Sequence, residues 1–169
     1  MTRPTANADH PALSGGGTYA PDTSRVSEPA RRLVLAKVTT EVVDVNAHAD
    51  AVEDSAAGAV VTFAGVVRDH DRGRAVASIE YVAHPSAQRI IAEVATEITA
   101  ASPVDAVAVS HRIGELAVGD CALAVAVSAA HRREAFQAAS DLVEQVKHRL
   151  PVWKRQVFTD GSDEWVSCP

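Results

Sequence analysis

Two aliphatic runs of strand length, residues 104–111 and 121–128, are separated by a segment that contains Gly114 and Gly119. Short runs of Val, Ala and Leu bounded by glycines are typical of buried strands joined by a turn. We therefore predict that the two runs form a hairpin. Because only 4% of the residues are aromatic, the core around this hairpin must consist mainly of Val, Ile, Leu and Ala.

Two longer segments repeat apolar residues at helical spacing. The first begins after Pro85 and stops at residues 102–103. The second covers residues 130–149 and is stopped by Pro151. On this second helix we expect one apolar face made of Phe136, Ala139, Val143 and Val146.

The rest of the sequence predicts shorter elements and one long tail. Further strands are predicted at residues 33–43, 59–67, 76–82 and 152–158, and a short helix at residues 45–57. Since strands and helices alternate irregularly, we predict an α+β fold with a mixed, mostly antiparallel sheet packed with helices. Residues 1–30 are rich in Pro, Gly, Ser and Thr and lack apolar periodicity. We therefore predict a disordered N-terminal tail followed by one domain over residues 31–169.

The composition argues against several classes of protein. A net charge of -6 is unfavourable for binding nucleic acid through its phosphates, and no apolar stretch approaches the ~20 residues that span a bilayer. The N-terminus lacks the pattern of a signal peptide, so we expect a cytoplasmic protein with neither nucleic acid nor membrane as partner. Cys121 and Cys168 match no zinc or redox spacing. We expect a buried Cys121, no disulfide and no metal site.

Basic residues are concentrated in a few places in this acidic chain, which indicates sites for a local anion. Residues 68–74, a charged loop after a predicted strand, hold three arginines and a histidine. Residues 131–133 (His-Arg-Arg) occur where a strand gives way to a helix. A phosphate there would meet free backbone N–H groups and two guanidinium groups.

These clusters also have structural explanations. Lys147 lies in the last turn of a predicted helix, where the helix dipole alone favours a cation. Lys154 and Arg155 fit the solvated face of a strand, and we expect Trp153 beside them in the core. The dipole disfavours Arg132 in a first turn, so this residue requires a bound anion or a carboxylate partner. From the residues alone, the sequence predicts an α+β protein with an anion site built from Arg, Lys and His.

Four blocks of sequence, in this order, resemble one known family. They are residues 58–70 (GAVVTFAGVVRDH), 111–116 (HRIGEL) with 119–120 (GD), 130–132 (AHR) with 135–136 (AF), and 147–155 (KHRLPVWKR). Together with Gly161 and residues 165–166, they make the chain from about residue 33 to 166 similar to the large, catalytic subunit of molybdopterin synthase, the MoaE family. The resemblance implies that family's fold, of the α/β hammerhead type.

The resemblance implies a sulfurtransferase of molybdenum cofactor biosynthesis that has no resident cofactor. Sulfur would pass from the thiocarboxylate at the C-terminal Gly-Gly of a small ubiquitin-like subunit to cyclic pyranopterin monophosphate, forming the dithiolene of molybdopterin. A homodimer of the large subunit would carry two small subunits in a heterotetramer.

The resemblance also assigns residues to this reaction. Lys147 and Lys154 match the family's catalytic lysines. The candidates for substrate binding, as anion ligands or pocket wall, are Arg68, His131, Arg132, Phe63 and Arg155. One departure is Gln156, which stands where members of the family usually have Glu.

The two ends of the last predicted helix carry residues assigned to one pocket. Sixteen residues at about 1.5 Å each separate His131 from Lys147 by roughly 24 Å. A small pterin cannot contact both, so we expect the site to be shared between two copies of the chain. Two other functions stay open: a non-catalytic homologue that binds an anion or docks the sulfur carrier, and a phosphate-ester or nucleotide enzyme that uses the same anion site.

Overall fold

The computed structural model describes residues 27–167, so the expectations for most of the N-terminal tail and for Cys168 lie outside the described residues. The elements follow in the order β1 (Arg32–Thr39), α1 (Val45–Ala51), β2 (Ala59–Val66), β3 (His70–Asp71), β4 (Arg74–Ala83), α2 (Ala87–Ala101), β5 (Ala106–Arg112), β6 (Gly114–Ala117), β7 (Cys121–Ala129), α3 (Arg132–Arg149), β8 (Val152–Phe158) and β9 (Asp163–Ser167). The predicted α+β class is confirmed.

The first sheet is mixed and has the strand order β1-β5-β7-β2. Strand β1 runs parallel to β5, whereas β7 is antiparallel to both β5 and β2. Val107 lies opposite Val127, which confirms the predicted antiparallel pairing of the two aliphatic runs. Their connection is more than a turn, because it contains β6 between Gly114 and Gly119, both at a φ of 92°.

The second sheet is antiparallel, with the order β3-β4-β8-β9 and with β6 added to β4. Strand β6 follows β5 of the first sheet along the chain but pairs with β4 of the second sheet, where Glu115 lies opposite Glu80. Strand β9, which the sequence did not predict, places Trp165 opposite Arg155. Strands of both sheets position the polar residues of the site.

The main core lies between the first sheet and the helices α2 and α3. Its fully buried side chains include Val107 and Val127 from the sheet, Ile91 from α2 and Leu142 from α3. Complete burial of one such aliphatic side chain contributes about 1.5–3 kcal/mol. On the opposite face of the sheet, α1 covers a smaller cluster that contains Val52.

Three expectations about burial are wrong. Phe136 is 62% exposed, because it lies beside the buried stripe of α3, which consists of Ala135, Ala138, Ala139, Leu142, Val143 and Val146. Trp153 is 41% exposed, because it alternates with the buried Val152 and points to the outer face of β8. Cys121, at the beginning of β7, is half-buried rather than buried. Within residues 27–167, no helix is long and apolar enough to cross a membrane.

Candidate functional site

A cavity of about 430 Å³ lies where the two sheets meet. Strands β2, β5 and β7 contribute walls from the first sheet, and β4 and β8 from the second. Lys147, from the C-terminal end of α3, completes the lining. The apolar part of the wall includes Ile79 and Leu123, so polar groups that enter the cavity lie against a partly apolar surface.

Two lysines line this cavity, Lys147 and Lys154. Helix α3 ends at Arg149, and a turn at Leu150 and Pro151 leads into β8, which folds Lys154 back toward Lys147. Lys147 is exposed at the rim and Lys154 is half-buried. The sequence contains three lysines, and the third, Lys37 on β1, forms an ion pair with Glu41. Two of the three primary amines of the lysine side chains therefore lie in one cavity.

Arg68 supplies the guanidinium group of the cavity. It lies two residues after the end of β2, its side chain is 64% exposed, and its Nη2 donates to Oδ1 of Asp71 at 3.1 Å. An arginine side chain has five N–H donors. The bond to Asp71 therefore leaves most of its donors for an anion in the cavity.

The segment after Arg68, expected as a charged loop, forms a tight hairpin of β3 and β4. Arg72 and Gly73 have φ values of 47° and 78°, as a type I′ turn requires of its two central residues. Arg74 fastens the hairpin to β8, since its guanidinium carbon lies 3.5 Å from the centroid of the Phe158 ring. This construction fixes Asp71, the last residue before the turn, over the cavity.

Gln156 and His111 are polar residues of the cavity wall that the sequence did not mark as site residues. Gln156 is 2% exposed, and its Nε2 donates to Oδ2 of Asp71 at 3.0 Å. His111 approaches the carbonyl oxygen of Arg112 with Nδ1 at 2.8 Å and packs edge-on against Tyr81. His111 begins one of the sequence blocks that carry the resemblance, and Gln156 is the departure from it. Because side chains alternate along a strand, Gln156 could have been placed on the same face of β8 as Lys154.

Burial gives His111 a defined protonation state. Desolvation lowers the pKa of His111, so the ring is neutral at neutral pH. A carbonyl oxygen only accepts hydrogen bonds, so Nδ1 carries the single ring proton. The other nitrogen, Nε2, is then a hydrogen-bond acceptor on a residue that lines the cavity.

Four of the candidate residues do not line this cavity. His131 is the N-cap of α3, at the opposite end of that helix from Lys147, and Arg132 follows it on the exposed surface. The half-buried Phe63 packs against the main core, with its ring beside Gly65 of the cavity wall. The fourth, Arg155, is held elsewhere by its own partners.

Arg155 lies on the other face of β8 from Lys154. Its Nε donates to Oδ2 of Asp163 at 2.9 Å, and its Nη1 lies 3.6 Å from Oε2 of Glu80. Asp163 and Glu80 hold the pKa of Arg155 above its usual value, Asp163 most strongly. Within one chain, the structure therefore brings together Arg68, Lys147 and Lys154 and leaves Arg155 in an ion-pair network outside the cavity.

The sequence of the chain matches the model of one known family. The family model described as "MoaE protein" matches residues 38–149, which include Arg68, His131, Arg132 and Lys147. The chain belongs to the MoaE family. A molybdopterin synthase catalytic subunit of Nostoc sp. (strain PCC 7120) is 43% identical over 126 residues, 73% of this chain and 74% of that relative.

Two solved structures share the fold. Molybdopterin synthase from Staphylococcus aureus is 30% identical with a TM-score of 0.72, over 78% of this chain and 96% of that chain. The complex of subunits 1 and 2 of molybdopterin-converting factor from Helicobacter pylori 26695 has a TM-score of 0.60 at 17% identity, over 80% and 88% of the two chains. The predicted family and fold are confirmed. The predicted enzyme class is confirmed as well: a molybdopterin synthase of molybdenum cofactor biosynthesis.

Proposed function

We propose that this chain transfers sulfur from the C-terminal thiocarboxylate of a small ubiquitin-like protein to cyclic pyranopterin monophosphate. The product is the dithiolene of molybdopterin. The observation that carries the proposal is the meeting of Lys147, Lys154 and Arg68 in one cavity of a MoaE-family chain.

The chemistry of the transfer suits this set of side chains. The nucleophile is the sulfur of the incoming thiocarboxylate, so the chain needs no thiol of its own. Burial raises the pKa of the Cys121 thiol, which keeps Cys121 in the protonated, unreactive form. The remaining tasks are to move protons as C–S bonds form and to hold the phosphate, for which lysine Nζ and the Arg68 guanidinium are suited.

A cavity with Lys147 at its rim and Lys154 deeper inside favours an extended peptide tail as sulfur donor. Two glycines at the tip of such a tail allow the closest approach of its backbone to the walls. The Helicobacter pylori structure is itself a complex of two subunits, and we propose a corresponding complex for this chain. We place the reaction in the cytoplasm, because a thiocarboxylate and a free Cys121 both persist under reducing conditions.

The second half of the proposed anion site comes from another copy of the chain. His131 and Arg132 lie roughly 24 Å along α3 from Lys147. A two-fold homodimer can place these residues at the cavity of the partner protomer, and it does so twice. With one small subunit at each cavity, the assembly is a heterotetramer.

Reconstitution tests the proposed function directly. The purified chain is incubated with the thiocarboxylated small subunit and cyclic pyranopterin monophosphate, and dithiolene is measured. We expect a dithiolene product that depends on the thiocarboxylate and is absent with the unmodified carboxylate. A chain that binds both molecules and yields no dithiolene would instead be a non-catalytic docking homologue.

A further inference from the structure

The carboxylate of Asp71 connects two cavity residues from distant parts of the chain. Its Oδ1 accepts from Arg68 at 3.1 Å and its Oδ2 accepts from Gln156 at 3.0 Å. The contact with Gln156 joins positions 85 residues apart. All three residues line the cavity.

Burial makes the hydrogen bond between Gln156 and Asp71 costly to lose. Gln156 is 2% exposed, and a buried amide N–H that loses its acceptor is destabilising because water cannot replace the missing bond. The Asp71 side chain is 23% exposed, so water competes only weakly for it. The type I′ turn at Arg72 and Gly73 sets the position of Asp71 from the other side. Asp71 is thus held by a buried amide and by the hairpin backbone.

The position of the negative charge follows from this geometry. Strand β8 carries a neutral amide at position 156, where the resemblance implies a usual Glu. The carboxylate beside Arg68 comes from Asp71 on β3. Arg68 is 64% exposed, so without such a partner its guanidinium is free to rotate away from the cavity.

We propose that Asp71 is a positioning residue for Arg68, and that the buried Gln156 holds Asp71 in place. This proposal rests on the proposed function, because the pair would fix the orientation in which the Arg68 guanidinium binds the phosphate of the pterin. An exchange of the two side-chain types, Asp71→Asn together with Gln156→Glu, should keep both hydrogen bonds. In that arrangement the amide on β3 donates to the carboxylate on β8, the amide carbonyl accepts from Arg68, and the negative charge moves to β8.

Four variants test the pair: Asp71→Asn, Gln156→Glu, the double variant D71N/Q156E, and Arg68→Ala. The binding of cyclic pyranopterin monophosphate is measured at equilibrium, together with KM, kcat and Tm. We expect Asp71→Asn to weaken pterin binding about tenfold with little change in kcat, the effect of losing about 1.4 kcal/mol. Gln156→Glu places two carboxylates in contact and should lower Tm by ~4–8 °C.

The double variant decides whether the two positions act together. We expect it to regain most of the Tm lost in Gln156→Glu and most of the binding lost in Asp71→Asn. Additive losses in the double variant would overturn the proposal. Unchanged pterin binding in Asp71→Asn, with weakened binding in Arg68→Ala, would overturn it as well, because Arg68 would then act without its partner.

Asp54→Asn is the matched control. Asp54 accepts from Arg32 at 3.0 Å and its side chain is 19% exposed, close to the values for Asp71, and it lies outside the cavity. We expect Asp54→Asn to leave pterin binding unchanged. Failure of the proposed function has a different signature, since the unmodified chain would then form no dithiolene with the thiocarboxylated small subunit, whatever the binding of the Asp71 and Gln156 variants.

Discussion

His131 and Lys147 lie at the two ends of the same helix, α3, one as its N-cap and the other in its last turn. An α-helix rises about 1.5 Å per residue, so roughly 24 Å separates them. Lys147 lines the cavity of about 430 Å³, and His131 is not among its lining residues. If both residues serve one substrate, they belong to different protomers.

Subunit mixing tests this consequence. A chain with His131→Ala and Arg132→Ala is mixed with a Lys147→Ala chain, each inactive alone, and dithiolene formation is measured after exchange. Random mixing makes about half of the dimers hybrid, and each hybrid has one intact site. We therefore expect about a quarter of the activity of the unmodified dimer. Exchange shown by mass spectrometry without any return of activity would contradict the shared site.

Arg68→Ala should raise KM for the cyclic pterin by roughly 10- to 150-fold, the effect of losing a charge-assisted hydrogen bond of about 1.5–3 kcal/mol. Arg89→Ala on α2 is the matched control, because the two arginine side chains are both 64% exposed and both bind a nearby carboxylate. Steady-state kinetics measure the difference. Equal KM values for the two variants would remove Arg68 from the anion site.

Burial of His111 should make stability depend on pH. Its pKa in the folded chain is below the ordinary value of 6.5, so below about pH 6.5 the unfolded chain takes up a proton that the folded chain does not. The contribution of the neutral His111 to the free energy of unfolding is therefore fully present above pH 6.5, and it is lost as the pH falls through the lowered pKa. We expect a falling Tm between about pH 7 and 5 that is flatter in His111→Gln. The surface variant His84→Gln is the control, and identical slopes for His111→Gln and the unmodified chain would contradict the prediction.

Much of the fold could be predicted from the sequence because its signals are local. The runs that form β5 and β7 and the apolar stripe of α2 are visible within a window of about a dozen residues. Strand β6 has only four residues, and its pairing with β4 depends on contacts more than 30 positions away. Such a strand has no local signal strong enough to be recognised.

In the site, too, residues close in sequence could be predicted and contacts between distant residues could not. Lys147 and Lys154 are close in sequence and flank a proline turn, so their proximity in the cavity is easy to anticipate. The contact between Asp71 and Gln156 depends on how the hairpin folds over β8, and no spacing in the sequence reveals it. On α3, the expected apolar residues Ala139, Val143 and Val146 are buried and only Phe136 is exposed, because packing against the sheet selects the neighbouring stripe that begins at Ala135 and contains Leu142.

The three lysines of the chain offer the most direct measurement of the central claim, that sulfur transfer takes place in the cavity of Lys147 and Lys154. Dithiolene formation is followed in single turnovers for Lys147→Ala, Lys154→Ala and, as control, Lys37→Ala. Loss of a group that transfers a proton typically costs about 10²- to 10⁴-fold in rate, and we expect such a loss for the two cavity variants and an unchanged rate for the control. Rates of all three variants equal to that of the unmodified chain would contradict the claim.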